Sequence, residues 1–172
     1  TVPEIWMLGS SDYGAQVAAH FGLPYAFAYF FTDGVGADEA MQIYQQTYRP
    51  SERHPKPHSA MCVWALAAET EAEAHHQFQS RARFRLLRDR GIFTSIESPE
   101  AAAAYPYTDA ERARMEDYRN RNFVGTGEDV ARRIRELAQR FNLQEVAIVT
   151  WAWDEDVRKT SYRLILEAMR KS

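Results

Sequence analysis

One cysteine, Cys62, in 172 residues excludes an intrachain disulfide and a thiolate metal cluster. A reducing compartment fits that usage best. Charge of a single sign is also lacking. The chain holds 21 lysines and arginines against 24 aspartates and glutamates, a net of −3, so the basic footprint of a nucleic-acid binder is missing. No apolar run reaches the length that crosses a bilayer, and no signal-peptide pattern opens the chain. A cytoplasmic protein with no membrane and no nucleic-acid partner is the expectation. The composition of a disordered chain is absent too, since 45% of residues are hydrophobic and 13% aromatic. That length predicts one domain, 1–172, with a sizeable core. The first residue is Thr1, and a strand candidate begins directly after Pro3. Removal of an initiator methionine or a start in mid-protein both fit.

What is present is an alternation. Glu4 to Gly9 reads as a buried strand bounded by Pro3 and Gly9. Asp12 to Phe21 reads as a helix with Val17, Ala18 and Phe21 at helical spacing and Gly22 as its stop. Pro24 to Tyr29 is apolar again, with Tyr29, Phe30 and Phe31 ending the second strand. A helix is expected from Ala37 to Tyr48, a third strand from Ser59 to Ala68, and a long helix to about Arg90 after the capping-box pair Thr70 and Glu73. Gly91 to Tyr107 is irregular, and Thr108 to Arg119 is helical. Asn122 to Asp129 reads as a turn with Thr126 capping a helix to Phe141. Glu145 to Trp151 is a fourth strand and Asp156 to Met169 a last helix. Buried strands alternating with amphipathic helices predict a parallel α/β sheet. Residues 70–122 form a helical insertion, because a simple crossover needs only about a dozen residues. Four βα units fit an open sheet or half of an eightfold TIM barrel.

Several clusters carry chemistry or plain structure. At Gly9-Ser10-Ser11 a strand stops at a glycine and hydroxyls stand at a helix N-terminus. A simple cap by Ser10, Ser11 or Asp12 and a bound anion both fit. His75 and His76 are adjacent on a helix, face about 100° apart and chelate poorly. His58 precedes a strand with no visible partner. Arg81, Arg83, Arg85, Arg88 and Arg90 read as a solvated helix face, and Cys62 as a buried inert thiol.

The stretch "PEIWMLGSSDYGAQVAAHFGLPYAFAYFF", with "FVGTGEDVARRIREL" and "EVAIVTWAWDEDVRKTSYRLILEAM", resembles the bacterial-luciferase-like flavin-dependent monooxygenases. The resemblance runs along nearly the whole chain but corresponds to the C-terminal half, the last four βα units, of a (β/α)8 barrel. It implies a luciferase-like oxidoreductase that uses reduced FMN, supplied by a flavin reductase, and O2 on a small organic substrate. A deazaflavin-dependent dehydrogenase of the same barrel class, or a non-catalytic half-barrel module or fragment, are the alternatives. By resemblance the FMN phosphate turn falls on Gly9, Ser10, Ser11 and Tyr13. Tyr29, Trp151 and Trp153 end strands at the barrel mouth, where they could wall a planar cofactor or substrate. Alternation sends Trp151 and Trp153 to one side. No catalytic acid or base and no metal ligand is assigned. The open edges predict a homodimer or pairing with an N-terminal half.

Overall fold

Parallel pairing organises the apolar runs. The structure, a computed structural model, describes residues 3–171, so the two ends of the expected domain lie outside the described residues. In chain order the elements are β1 (Met7–Gly9), α1 (Asp12–Phe21), β2 (Tyr25–Phe27), α2 (Tyr29–Thr32), α3 (Ala37–Thr47), β3 (Ser59–Ala68) and α4 (Glu71–Asp89). Then come α5 (Pro99–Ala104), α6 (Asp109–Arg121), β4 (Phe123–Thr126), α7 (Gly127–Arg140), β5 (Glu145–Val149) and α8 (Glu155–Arg170). The chain divides into two compact units. One runs to Val63 and includes Arg135–Val149, and the other comprises Trp64–Ile134 and the residues from Thr150 on. Strand β3 contributes its first half to one unit and its second half to the other.

In the first unit β1 pairs with β2 in parallel, Met7 opposite Tyr25 and Gly9 opposite Phe27. Strand β2 then pairs with the start of β3, Tyr25 opposite Ser59. Helix α1 buries Ala15, Ala18 and Ala19 and packs on α3. Small side chains let the two backbones approach, so Phe21, expected on the inner face, is 63% exposed. The helix ends at Gly22 with φ 60°, and a Cβ there would lie 2.5 Å from the Arg49 carbonyl oxygen. Beneath this layer the Tyr44 hydroxyl donates to the Leu23 carbonyl at 2.8 Å and accepts from the His58 N–H at 3.1 Å. The second strand is shorter than expected. Tyr29, Phe30 and Phe31 form the short helix α2, which turns off at Asp33 in the left-handed region. The Tyr29 ring lies on the next loop, where a Cβ on Gly34 would come within 2.3 Å of it.

In the second unit the rest of β3 is buried throughout and pairs with β4, Ala65 opposite Phe123 and Ala68 opposite Thr126. This corrects the expected turn at 122–129. Its first part is a fifth strand, because Phe123, Val124 and Gly125 are buried and Phe123–Thr126 lie in the ladder. The Thr126 hydroxyl accepts from the Asp129 N–H, as its cap role predicted. Helices α4, α5 and α6 occupy the expected insertion, and α6 opens with a full capping box of Thr108 and Glu111. The arginine run of α4 is not uniformly solvated. Arg81 is 1% exposed, with its guanidinium 4.6 Å from the Trp64 ring centroid and 5.1 Å from that of Trp151. A guanidinium is weakly hydrated and stacks on aromatic faces, which lets this position go inward. Two side chains stitch β3 to the C-terminal segment. Thr150 Oγ1 donates to the Ala65 carbonyl at 2.6 Å, and Ser161 Oγ accepts from the Ala67 N–H at 2.9 Å.

Candidate functional site

At the C-terminal end of β1 the backbone stops at Gly9, and Ser11 in an extended conformation begins α1. The Gly9 carbonyl accepts from the Ala28 N–H at 2.8 Å, which ties the turn to the end of β2. Gly9 and Gly14 face each other closely. A Cβ on Gly9 would sit 3.4 Å from the Gly14 Cα and 3.5 Å from the Tyr25 hydroxyl. The first turn of the helix thus folds down over the strand end.

The plain-cap reading meets an exception here. Ser11 holds the N-cap position, yet its side chain accepts no helix amide. The amide of Tyr13 goes instead to Asp12 Oδ1 at 2.8 Å. The hydroxyls of Ser10 and Ser11 therefore stand beside a helix N-terminus whose first amides lack intrahelical partners. These donors fit an anion such as a phosphate. The Asp12 carboxylate occupies one of those amides, the Tyr13 N–H, so an anion there would use the serine hydroxyls and the remaining amides.

Sequence reasoning took Tyr25 for an apolar strand residue. It is a support of the turn. It is fully buried, and its hydroxyl donates to the Ser11 carbonyl at 3.2 Å. Burial first, and the Asp12 charge second, push its phenol up to about 12. The donor stays protonated at every physiological pH. The one available signal was the pair of glycines five residues apart at a strand end and a helix start, which leaves room for a ring.

The remaining expected residues divide between the units. In the first, Tyr13 is 73% exposed on α1, while Tyr29 follows β2 one residue beyond the Ala28 that bonds Gly9. The tryptophans belong to the second, and β5 of the first has already ended at Val149, so strand alternation does not reach them. Trp151 packs edge-to-face with Phe84, 6.4 Å between centroids and 74° between planes, and beside Arg81. Trp153 is 54% exposed.

The histidines find carboxylates. His58 Nε2 lies 3.0 Å from Glu145, His76 Nε2 3.1 Å from Glu100 and His75 Nε2 3.6 Å from Glu71. His58 also meets the Trp6 ring and lends its carbonyl to the Tyr25 N–H. That is a structural place, at the start of β3. Burial raises the Cys62 thiol above its ordinary value, which keeps it protonated and poorly nucleophilic. No group of three metal-ligating side chains occurs among the described residues, and no helix among them is long and apolar enough to cross a membrane.

Parallel βα units make this a parallel-sheet α/β fold, with the hydroxyl-bearing turn at the C-terminal end of β1. The chain matches the luciferase-like monooxygenase family over residues 1–143 and belongs to it. It is 35% identical to the uncharacterized protein YwcH of Bacillus subtilis (strain 168), over 98% of this chain and 50% of that protein. The crystal structure of apo-MsnO8 superposes with a TM-score of 0.87 at 28% identity, over 100% of this chain and 52% of that one. The oxygenating constituent of 3,6-diketocamphane monooxygenase from Pseudomonas putida, solved with FMN, shares the fold. Its TM-score is 0.55 at 17% identity, over 100% of this chain and 49% of that one. The chain spans about half the length of the curated relatives it matches.

Proposed function

We propose that these residues form the C-terminal half of a flavin-dependent monooxygenase in which reduced FMN and O2 oxidise a small organic substrate. One observation carries the cofactor part. The hydroxyl of Ser11 is not consumed by capping, although it holds the N-cap position, and Ser10 precedes it in the same turn. Gly9, Ser10, Ser11 and the Tyr13 position would hold the phosphate, with Tyr25 fixing the turn from beneath. Tyr29 would supply aromatic surface in the first unit, and Trp151 and Trp153 separately in the second. Reduced flavin, when bound, supplies the electrons that activate O2, and a separate reductase supplies the reduced flavin. This chain's own contribution is to bind, orient and exclude water. The family membership and the FMN in a protein of the same fold support the reading.

The partner part rests on the first unit's edges. Strand β1 pairs with β2 alone among the described residues and leaves Ile5 and Leu8 59% and 62% exposed. Strand β5 is half exposed along its length. Apolar edge strands of this kind call for pairing, by a second copy or by an N-terminal half. A half-barrel without activity of its own follows from the same edges as the second reading, in a cytoplasmic setting either way.

Titration of the purified chain with oxidised FMN, read by flavin fluorescence and absorbance, tests the cofactor assignment. Ser10→Ala with Ser11→Ala is expected to weaken FMN by about tenfold or more, two hydrogen bonds to a charged group being lost. Riboflavin, which lacks the phosphate, should change little. Equal losses for both ligands refute the phosphate turn, and a preference for a deazaflavin over FMN moves the chain to the dehydrogenase alternative.

A further inference from the structure

A second place in the molecule has the makings of a ligand site. Helices α4, α5 and α6, all within the second unit, enclose a cleft of about 500 Å3. Small-molecule sites run roughly 300–1,000 Å3. Phe78, Ala82, Tyr107 and Met115 line it, and all four are buried side chains. They make an apolar floor. The polar groups lie at the rim, and most of them are already satisfied. Arg119 bonds Glu116 and places Nη1 3.2 Å from His75 Nδ1. His75 and His76 meet Glu71 and Glu100.

Arg112 is different. Its guanidinium stands 5.9 Å from the Tyr107 ring centroid, and no carboxylate pairs with it among the described residues. Glu116 thus has the Arg119 guanidinium and the other two carboxylates have imidazole partners, so one guanidinium is left without a carboxylate beside an apolar floor. A neutral apolar molecule would leave that charge unused, and a cation would be repelled by it. A bare inorganic anion would leave the floor wet.

We propose that this cleft binds an organic acid, with a carboxylate held by Arg112 and an aliphatic or aromatic body lying on Phe78 and Met115. Guanidinium presents a planar fork that matches a carboxylate, and a charge-assisted bond of this kind is among the stronger ones.

The test uses the whole chain and needs no flavin. Anilinonaphthalene sulfonate, a fluorescent aromatic anion, is titrated to saturation. It is then displaced by decanoate, decanol or decyltrimethylammonium, which share one apolar body and differ in charge. Decanoate is expected to compete about tenfold better than decanol, and the ammonium worst. Arg112→Gln removes an exposed charge and should abolish the preference for decanoate while leaving decanol unchanged. Ala103→Trp fills the cleft from an exposed position and should lower probe affinity and all competition together. Retention of the carboxylate preference in Arg112→Gln overturns the proposal, as does probe binding that neither variant changes. Absence of saturable binding overturns it as well.

Discussion

Raising the pH above about 10 should unfold this protein through two phenols, and the effect can be sized. Tyr25 and Tyr44 are both fully buried. Burial raises each from 10.0 to about 12, with the Asp12 charge adding to the first, while for the second the His58 backbone lowers it somewhat and Tyr48 adds a smaller rise. The unfolded chain releases those protons near the ordinary value, the folded one only two units later. Below about 10 both states hold the proton and the contribution to stability is complete. Above it the unfolded state alone ionises, so stability falls until the folded phenols titrate. Two units are worth at most about 2.7 kcal/mol for each tyrosine, about 5 kcal/mol for the pair. A domain of this size has only about 5–15 kcal/mol to lose. Urea unfolding midpoints between about pH 8.5 and 11.5 measure the slope, with tyrosinate absorbance recording the ionisation. The midpoint should stay level to about 9.5 and then drop, with Tyr25→Phe and Tyr44→Phe each removing a similar share of the drop and Tyr48, Tyr107 and Tyr118, also raised by burial, supplying the remainder. An unchanged drop in the double variant would refute the reasoning.

Three further outcomes are expected. Tyr25→Phe should reduce stability by about 1 kcal/mol through the lost bond to Ser11 and weaken FMN more than riboflavin; equal affinities for wild type and variant in a titration would deny Tyr25 its role under the turn. Gly127→Ala should destabilise by about 1–3 kcal/mol, since its Cβ would lie 2.7 Å from the Leu164 carbonyl oxygen, and a denaturant midpoint equal to wild type counts against that packing. Sizing by light scattering across a wide concentration range should show a dimer when the chain is alone, because of the exposed β1 and β5; a well-folded monomer at every concentration speaks against the edge argument.

Local signals were legible in the sequence where the chain makes its own case. The glycine that ends β1, the Thr70 cap that accepts from the Glu73 N–H, and the stop at Gly22 all stand where residue chemistry put them. What the sequence hid depends on partners far along the chain. Phe123–Thr126 carries turn residues, yet it is a strand because Ala65–Ala68 lies ready to pair with it. Tyr29–Thr32 carries strand residues, yet β2 ends at Phe27, in step with Gly9 of β1 and Met61 of β3. Arg81 looks like its neighbours on α4 and is buried only because Trp64 and Trp151 arrive from elsewhere. The same limit applied to the site. Glycine and serine announced the turn, whereas the hydroxyl of Tyr25 could be seen beneath it only once β1 and β2 were side by side.

The Tyr29 ring resting on Gly34 constrains how this loop can evolve. Any side chain at position 34 would have to occupy space the ring already fills, on a backbone at φ 84° that disfavours one. A lineage that enlarges position 34 must therefore swing the Tyr29 ring aside or replace it, and must still meet the left-handed backbone. Variation at the two positions should be coupled: a change at 34 is to be sought together with a moved or altered residue at 29.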